Sequence, residues 1–306
     1  MSETTQGKPE REEKNAVFSQ ENPHVATTAA ANRVPKSHVQ SQQDELMAEL
    51  GITIPVEVVP LPSQGKVYPQ ASSLHRKELV EIKAMTAREE DILTSRAYLK
   101  NGTVITKLIQ SCLTDRSINV LNMLSGDRNA ILVAIRITGY GSTYGGSVNC
   151  PTCDHSWEHQ FELAELPLKN LTIEPVSPGE NLFELTLPKS GATVQFKFLT
   201  GRDEEEITVT AERRKKKLKS QEDNIVTARL MYQIVSVNNR TERGLIAKFV
   251  QHMPAADSLA MRGYIKEHEP GIEMSSEVIC QNPDCGELAE VDVPLDVNFF
   301  WPNSRK

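Results

Sequence analysis

Two short cysteine pairs, far apart in the chain, constrain this fold more than any other feature. Cys150 and Cys153 stand in "NCPTCDH" with C-x2-C spacing, and Cys280 and Cys285 stand in "ICQNPDCGE" with C-x4-C spacing. Turn-forming residues fill both intervals: Pro151 in the first, and Asn282, Pro283 and Asp284 in the second, with Gly286 just after. A tight turn between two cysteines aims two thiolates at one point, and a closed structural zinc site takes four such ligands in a tetrahedron. Each pair is therefore half a site. The expectation is one composite centre of Cys150, Cys153, Cys280 and Cys285 around a structural zinc ion. The 126 residues between the pairs do not forbid it, because closure entropy grows only with the logarithm of loop length. A polar, strand-like run follows each pair, "HSWEHQFEL" and "ELAEVDVPL", and turn followed by strand is the arrangement of a zinc ribbon. With four thiolates available, His155 and His159 read as surface residues of a strand. Cys112 falls in the apolar pattern "VITKLIQSCL" and reads as core.

The long interval has a reason: the chain repeats itself. "LPSQGKVY" at Leu61 and "LPKSGATV" at Leu187 both read L-P-x-x-G. Alternation follows in each: Val80, Ile82 and Ala84 against Glu81 and Lys83, then Val194, Phe196 and Phe198 against Gln195 and Lys197, the period of a half-buried strand. Next come two helix starts, "MTAREEDI" and "LTGRDEEEI", in which Thr86 with Glu89 and Thr200 with Asp203 fit a capping box. Acid in a first turn also suits the helix dipole, so both clusters read as caps rather than catalysts. Two further helices follow in each series: "TVITKLIQSCL" then "DRNAILVAIRI", and "IVTARLMYQIV" then "ADSLAMRGYI", with Val226, Leu230, Met231 and Ile234 on one face of the third of these. A cysteine pair closes each series. The expected fold is α+β: two related lobes from an internal duplication, residues 45–170 and 171–306, joined by a composite zinc ribbon whose metal staples them.

Residues 1–44 contain no Leu and no Ile and only one aromatic, Phe18, so they read as a disordered tail, with a short helix at "SQQDELMAEL". The basic cluster from Arg213 to Lys219 lies between acidic stretches and has no interleaved aromatics, and reads as a solvated helix face. A net charge of −7 offers no general attraction for nucleic acid or an anionic membrane. No apolar run is long enough to span a bilayer and no signal-peptide core is present. Cysteines in such a chain fit a reducing compartment, where they bind metal or stay free. Gly-rich phosphate loops, H-E-x-x-H and G-x-S-x-G are all missing, and a four-thiolate zinc has no open position for water. No catalytic residue and no small-molecule substrate is expected. Near the end of the sequence Phe299, Phe300 and Trp301 stand side by side before Pro302. They are candidates for a hydrophobic anchor on a partner, with packing back on the ribbon as the alternative.

The order "PLPSQGKVYP", "MTAREEDIL", "AIRITGYGSTYGGSVNCPTC" and "VDVPLDVNFFWP" resembles the baseplate hub proteins of T4-like contractile-tailed bacteriophages. The likeness rests on Leu61, Pro62, Gly65, Tyr68 and Pro69, then Arg136, Gly139, Tyr140 and Gly141, then Cys150 and Cys153. It implies a non-enzymatic virion protein that helps form the central hub of the tail baseplate, with other hub or tail proteins as partners. It would reside in the virion tail, or in the host cytoplasm during assembly. "FKFLTGRDEEEI" also resembles the opening of small tail-assembly chaperones, which implies a doubled, zinc-stapled chaperone for the tape-measure protein as a second reading. A zinc-ribbon nucleic-acid binder is a third, disfavoured by the acidic charge.

Overall fold

Alternating apolar residues build the first element that orders the chain. In the computed structural model, which describes residues 49–52, 54–218, 225–293 and 297–300, β1 (Val56–Pro60) pairs antiparallel with β2 (Leu79–Lys83), Val59 opposite Val80. Val80, Ile82 and Ala84 face inward and are buried, as the alternation predicts. The connecting segment carries L-P-S-Q-G. Gly65 has φ 70°, and a Cβ there would stand 2.3 Å from the Lys77 amide, so only glycine fits. Helices α1 (Ala87–Thr94), α2 (Arg96–Lys100) and α3 (Val104–Cys112) follow, and Leu113 after α3 bridges back to Ile82. Helix α4 (Ser125–Tyr140) then crosses the core, with Ala130, Ile131, Val133 and Ile135 sealed from water.

The second series also opens on a hairpin. β6 (Phe183–Thr186) pairs with β7 (Thr193–Phe196), and Val194, Phe196 and Phe198 are all buried. Helix α5 (Gly201–Leu218) and helix α6 (Ile225–Gln233) come next, and β8 (Ile234–Val237) returns to pair with β7. The helix expected over "IVTARLMYQIV" therefore stops at Gln233. Ile234 belongs to a strand and Val226 is 42% exposed, because pairing with β7 captures the β-branched residues after Gln233. Helix α7 (Arg243–His252), which periodicity did not single out, precedes α8 (Ala255–His268). The two series share one apolar cluster.

The expected caps are present, and each does more than cap. The Glu89 carboxylate accepts from the Thr86 amide at 2.9 Å and hydroxyl at 2.6 Å, and also from the Ser111 hydroxyl of α3 at 2.5 Å. Asp203 accepts from the Thr200 amide at 2.9 Å and hydroxyl at 2.8 Å, and pairs with Lys197 at 2.7 Å. Both carboxylates are buried, which is tolerable only because these donors replace water.

Two other buried acids lock the L-P-x-x-G turns. Asp127, the third residue of α4, accepts from the Ser63 amide at 2.9 Å, the Ser63 hydroxyl at 2.6 Å and the Tyr68 hydroxyl at 2.5 Å. Asp257, the third residue of α8, accepts from the amides of Lys189 at 2.6 Å and Ser190 at 3.0 Å. Ser63 and Lys189 each directly follow the proline of their turn. Burial pushes the Asp127 carboxyl up, against the bonds from Ser63 and Tyr68 that pull it down. Asp257 is held below its ordinary value: burial opposes this, and the Ser190 and Lys189 contacts outweigh it.

The tail at residues 1–44, Trp301 and Lys219 of the basic cluster lie outside the described residues. No helix among the described residues is long and apolar enough to cross a membrane.

Candidate metal centre

Each cysteine pair sits in the turn of a β-hairpin. β3 (Thr143–Asn149) pairs with β4 (Ser156–Glu162), and β10 (Ser275–Ile279) pairs with β11 (Leu288–Asp292). Cys150 follows β3 directly and Cys280 follows β10 directly. Both turns close by the same device. The Cys150 amide donates to His155 O and the Cys280 amide to Glu287 O, each at 2.9 Å. The residue after the second cysteine is left-handed in each, Asp154 at φ 56° and Gly286 at φ 58°. Gly takes that conformation without strain and Asp tolerates it, which accounts for the two identities.

A short ladder between β5 (Leu168–Lys169) and β9 (Gly271–Ile272) brings the hairpins together, joining the chain just after β4 to the chain just before β10. At the N-terminus of α4, Gly126 packs against the backbone of Pro270 and Gly271. A Cβ at Gly126 would lie 1.6 Å from Pro270 O, so the close approach requires glycine there.

The result is a cluster of Cys150, Cys153, Cys280 and Cys285 with all four Sγ atoms within 4.8 Å of one another. Cys150 to Cys285 is 3.9 Å and Cys153 to Cys280 is 3.7 Å. A tetrahedral ion with metal–sulfur bonds of about 2.3 Å, the length zinc prefers, sets its sulfurs roughly 3.8 Å apart. The spacing thus fits one ion and is far beyond the disulfide length of about 2.05 Å. The Cys153 amide, with that of Thr152, lowers the Cys150 thiol to about 7, against burial, which raises it. Burial pushes Cys280 up to about 12, and the neighbouring thiols add to that rise. Four thiols without a cation resist ionising together; a divalent cation reverses the sign of that interaction. Asn282 Nδ2 lies 3.7 Å from Cys153 Sγ, an outer contact to the cluster. The four thiols can hold a metal ion.

Neither histidine joins the cluster. His155 is exposed, in the turn before β4. His159 is half-buried on the inner face with Trp157 and Phe161, not on the outer face expected of it. Its ring meets Phe161 edge-on at 4.7 Å. Cys112 is buried in the core, as expected.

At Phe299 and Phe300 the aromatic segment turns inward and packs back on the chain, the alternative to an anchor on a partner. They are 1% and 6% exposed. Phe299 packs edge-on against Tyr144 at 5.2 Å, and Arg136 holds the segment down. Its Nε donates to Phe299 O at 2.7 Å, while Nη1 and Nη2 donate to Gly141 O and Thr143 O. One guanidinium fork thus ties the end of α4, the start of β3 and the turn at Val297–Phe300. Tyr140 is bound as well, its hydroxyl donating to Glu90 at 2.5 Å. Two rings taken by the chain's own core are not free to insert into a partner.

The acids at Asp127 and Asp257 and the fork at Arg136 are what sequence reasoning passed over. The only local signal was the placement of both aspartates at the head of a helical segment, "DRNAILV" and "ADSLAM".

No curated protein and no solved structure matches this chain. Residues 55–301 match the family model described as T4 bacteriophage base plate protein. That span takes in both hairpins, both L-P-x-x-G turns and the aromatic segment through Trp301. The chain belongs to the T4 bacteriophage base plate protein family, and its place is the virion tail.

Proposed function

We propose that this chain is a non-enzymatic subunit of the central hub of the tail baseplate, working as a rigid two-lobed adaptor between other hub and tail proteins. The observation that carries this reading is the family match over residues 55–301. The lobes are residues 45–170 and 171–306, descended from one duplicated unit, and the ion that staples them is structural zinc on Cys150, Cys153, Cys280 and Cys285. Supporting the duplication, both series run hairpin, helices (three in the first, two in the second), a return to the second strand, a buried-acid helix, preceded in the second series by the extra helix α7, and a cysteine hairpin. Asp127 and Asp257 hold equivalent amides in equivalent turns, a correspondence that similar composition alone does not produce.

Function then follows from rigidity. A baseplate gathers different proteins about one axis, and two related but unequal faces present one surface to each neighbour. Fixing the angle between those faces before assembly lowers the entropic cost of binding. A four-thiolate ion leaves no position for water, and the buried acids Glu89, Asp127, Asp203 and Asp257 are consumed by structural bonds, so no catalytic step is assigned. The test is mass spectrometry of purified virions together with a pull-down from infected cells. The chain is expected in the particle and with hub proteins in the pull-down. Absence from virions, with tape-measure protein recovered instead, would replace the hub subunit by the tail-assembly chaperone.

A further inference from the structure

The two cysteine hairpins differ at one matched place. The last ladder pair before the turn is Asn149 opposite Ser156 in the first hairpin and Ile279 opposite Leu288 in the second. Each pair stands one residue outside the amide–carbonyl bond that closes its turn, so the two occupy the same register position. In the first hairpin the pair is satisfied internally: the Ser156 hydroxyl donates to Asn149 Oδ1 at 2.6 Å. In the second, two large apolar side chains face water together. Ile279 is 68% exposed, more than any other large apolar residue among those described, and Leu288 is 62% exposed. Directly opposed strand residues hold their Cβ atoms about 4.5–5.5 Å apart, so the two form one patch. Single apolar residues scattered on a surface need no explanation. An adjacent pair, where the sister hairpin shows that a polar pair serves the fold, calls for one.

The rim of the patch is of one sign. Glu290 and Asp292 follow Leu288 on the same exposed face of β11, and Asp284 and Glu287 are exposed at the tip. Residues 271–293 contain no Lys, Arg or His. This decides among occupants. A second copy, meeting the patch through a two-fold contact, would set an identical acidic rim against this one. Nucleic acid and anionic lipid are repelled for the same reason. A protein surface with an apolar residue flanked by lysine or arginine complements both the patch and its rim.

We propose that Ile279 and Leu288 form a docking patch for another tail protein, one that presents an apolar side chain flanked by lysine or arginine. The proposal rests on the reading of the chain as an adaptor among tail proteins, and it names a face the adaptor uses. The patch is held in shape before contact. Val278 and Ala289 behind it are buried, and Cys280, next to Ile279, is buried in the thiol cluster. Preorganisation of this kind lowers the entropic cost of binding.

The test places the photo-reactive residue p-benzoylphenylalanine at position 288 of the full-length chain in phage-infected cells. After irradiation, peptide mass spectrometry is expected to find position 288 joined to a different tail protein, at an apolar residue with Lys or Arg beside it. Adding Ile279→Asn, or Glu290→Lys with Asp292→Lys, is expected to cut that cross-link by about tenfold or more. Melting temperature and metal content of the purified chain should stay unchanged, because all three side chains are exposed. The charge variant decides alone where Ile279→Asn impairs folding by circular dichroism. A cross-link to a second copy, to the chain's own residues or to a site without Lys or Arg overturns the proposal, as does no cross-link at all. So does a cross-link that survives the substitutions. If the expected cross-link forms while the chain is missing from purified virions, the hub reading fails and the docking patch stands.

Discussion

Replacing Asp127 by Asn changes almost no volume, yet it is expected to destabilise the chain measurably. One carboxylate oxygen accepts the Ser63 amide, and the other accepts both the Ser63 and Tyr68 hydroxyls. Those hydroxyls cannot simply turn round. Ser63 Oγ already accepts the Gly65 amide at 3.2 Å, and Tyr68 Oη accepts the Leu124 amide at 3.0 Å. Their protons have to point at residue 127. An Asn there must present NH2 on one side, setting donors against donors. Flipping the amide only moves the loss to the Ser63 amide. Even in the better orientation one hydrogen bond to a charged group is forfeited and two donors face each other in a site with no access to water, at about 1.5–3 kcal/mol. The expected loss is roughly 2–3 kcal/mol. For a chain of this size that lowers Tm by on the order of 5 °C. Urea unfolding at fixed metal loading measures the first figure and calorimetry the second. A loss under about 1 kcal/mol would refute the reasoning, because it would mean that the hydroxyls find other acceptors or that the turn does not depend on this acid.

Purified protein should carry one metal ion per chain, measured by elemental analysis. Cys150→Ser or a strong chelator should remove it and lower the melting temperature, whereas His155→Ala should leave metal content unchanged. Gly126→Ala should cost about 3 kcal/mol, read by urea unfolding, since its methyl meets the Pro270 carbonyl. Phe299→Ala should cost about 3–5 kcal/mol by the same assay, because the ring is core. Burial acts to raise the Glu89 carboxyl, but bonds from Ser111 and Thr86 outweigh it and hold it below its ordinary value. A lowered carboxyl contributes stability above the unfolded value near about 4.3 that is lost as pH falls through the folded value. Glu89→Gln should therefore flatten the acid limb of a stability–pH curve below about pH 4.3.

Short-range patterns were legible in the sequence wherever one element specifies itself. Alternation around Ile82 and Phe196 marked half-buried strands because side chains on a strand change face at every residue. Thr86 and Thr200 marked helix starts because free amides at a first turn need acceptors nearby. The cysteine pairs declared half a metal site each, because two thiolates separated by a tight turn can serve one ion. What stayed hidden depends on partners that sequence distance conceals. The strand at Ile234 continued a helical pattern and became a strand because β7 offered an open edge. Asp127 looked like any first-turn acid until the turn at Ser63, sixty-four residues earlier, was seen to lean on it. Phe299 and Phe300 read equally well as an exposed anchor or as core, since hydrophobicity demands burial without saying against what. The Arg136 fork and the wall at Tyr144 decided that. The chain alone thus determined its local elements and the chemistry of its thiols, because those follow from neighbours a few residues away. Which faces meet, which acids are silenced by bonding and which aromatics are spent internally was decided only by the tertiary structure, which supplies the distant donors and apolar walls.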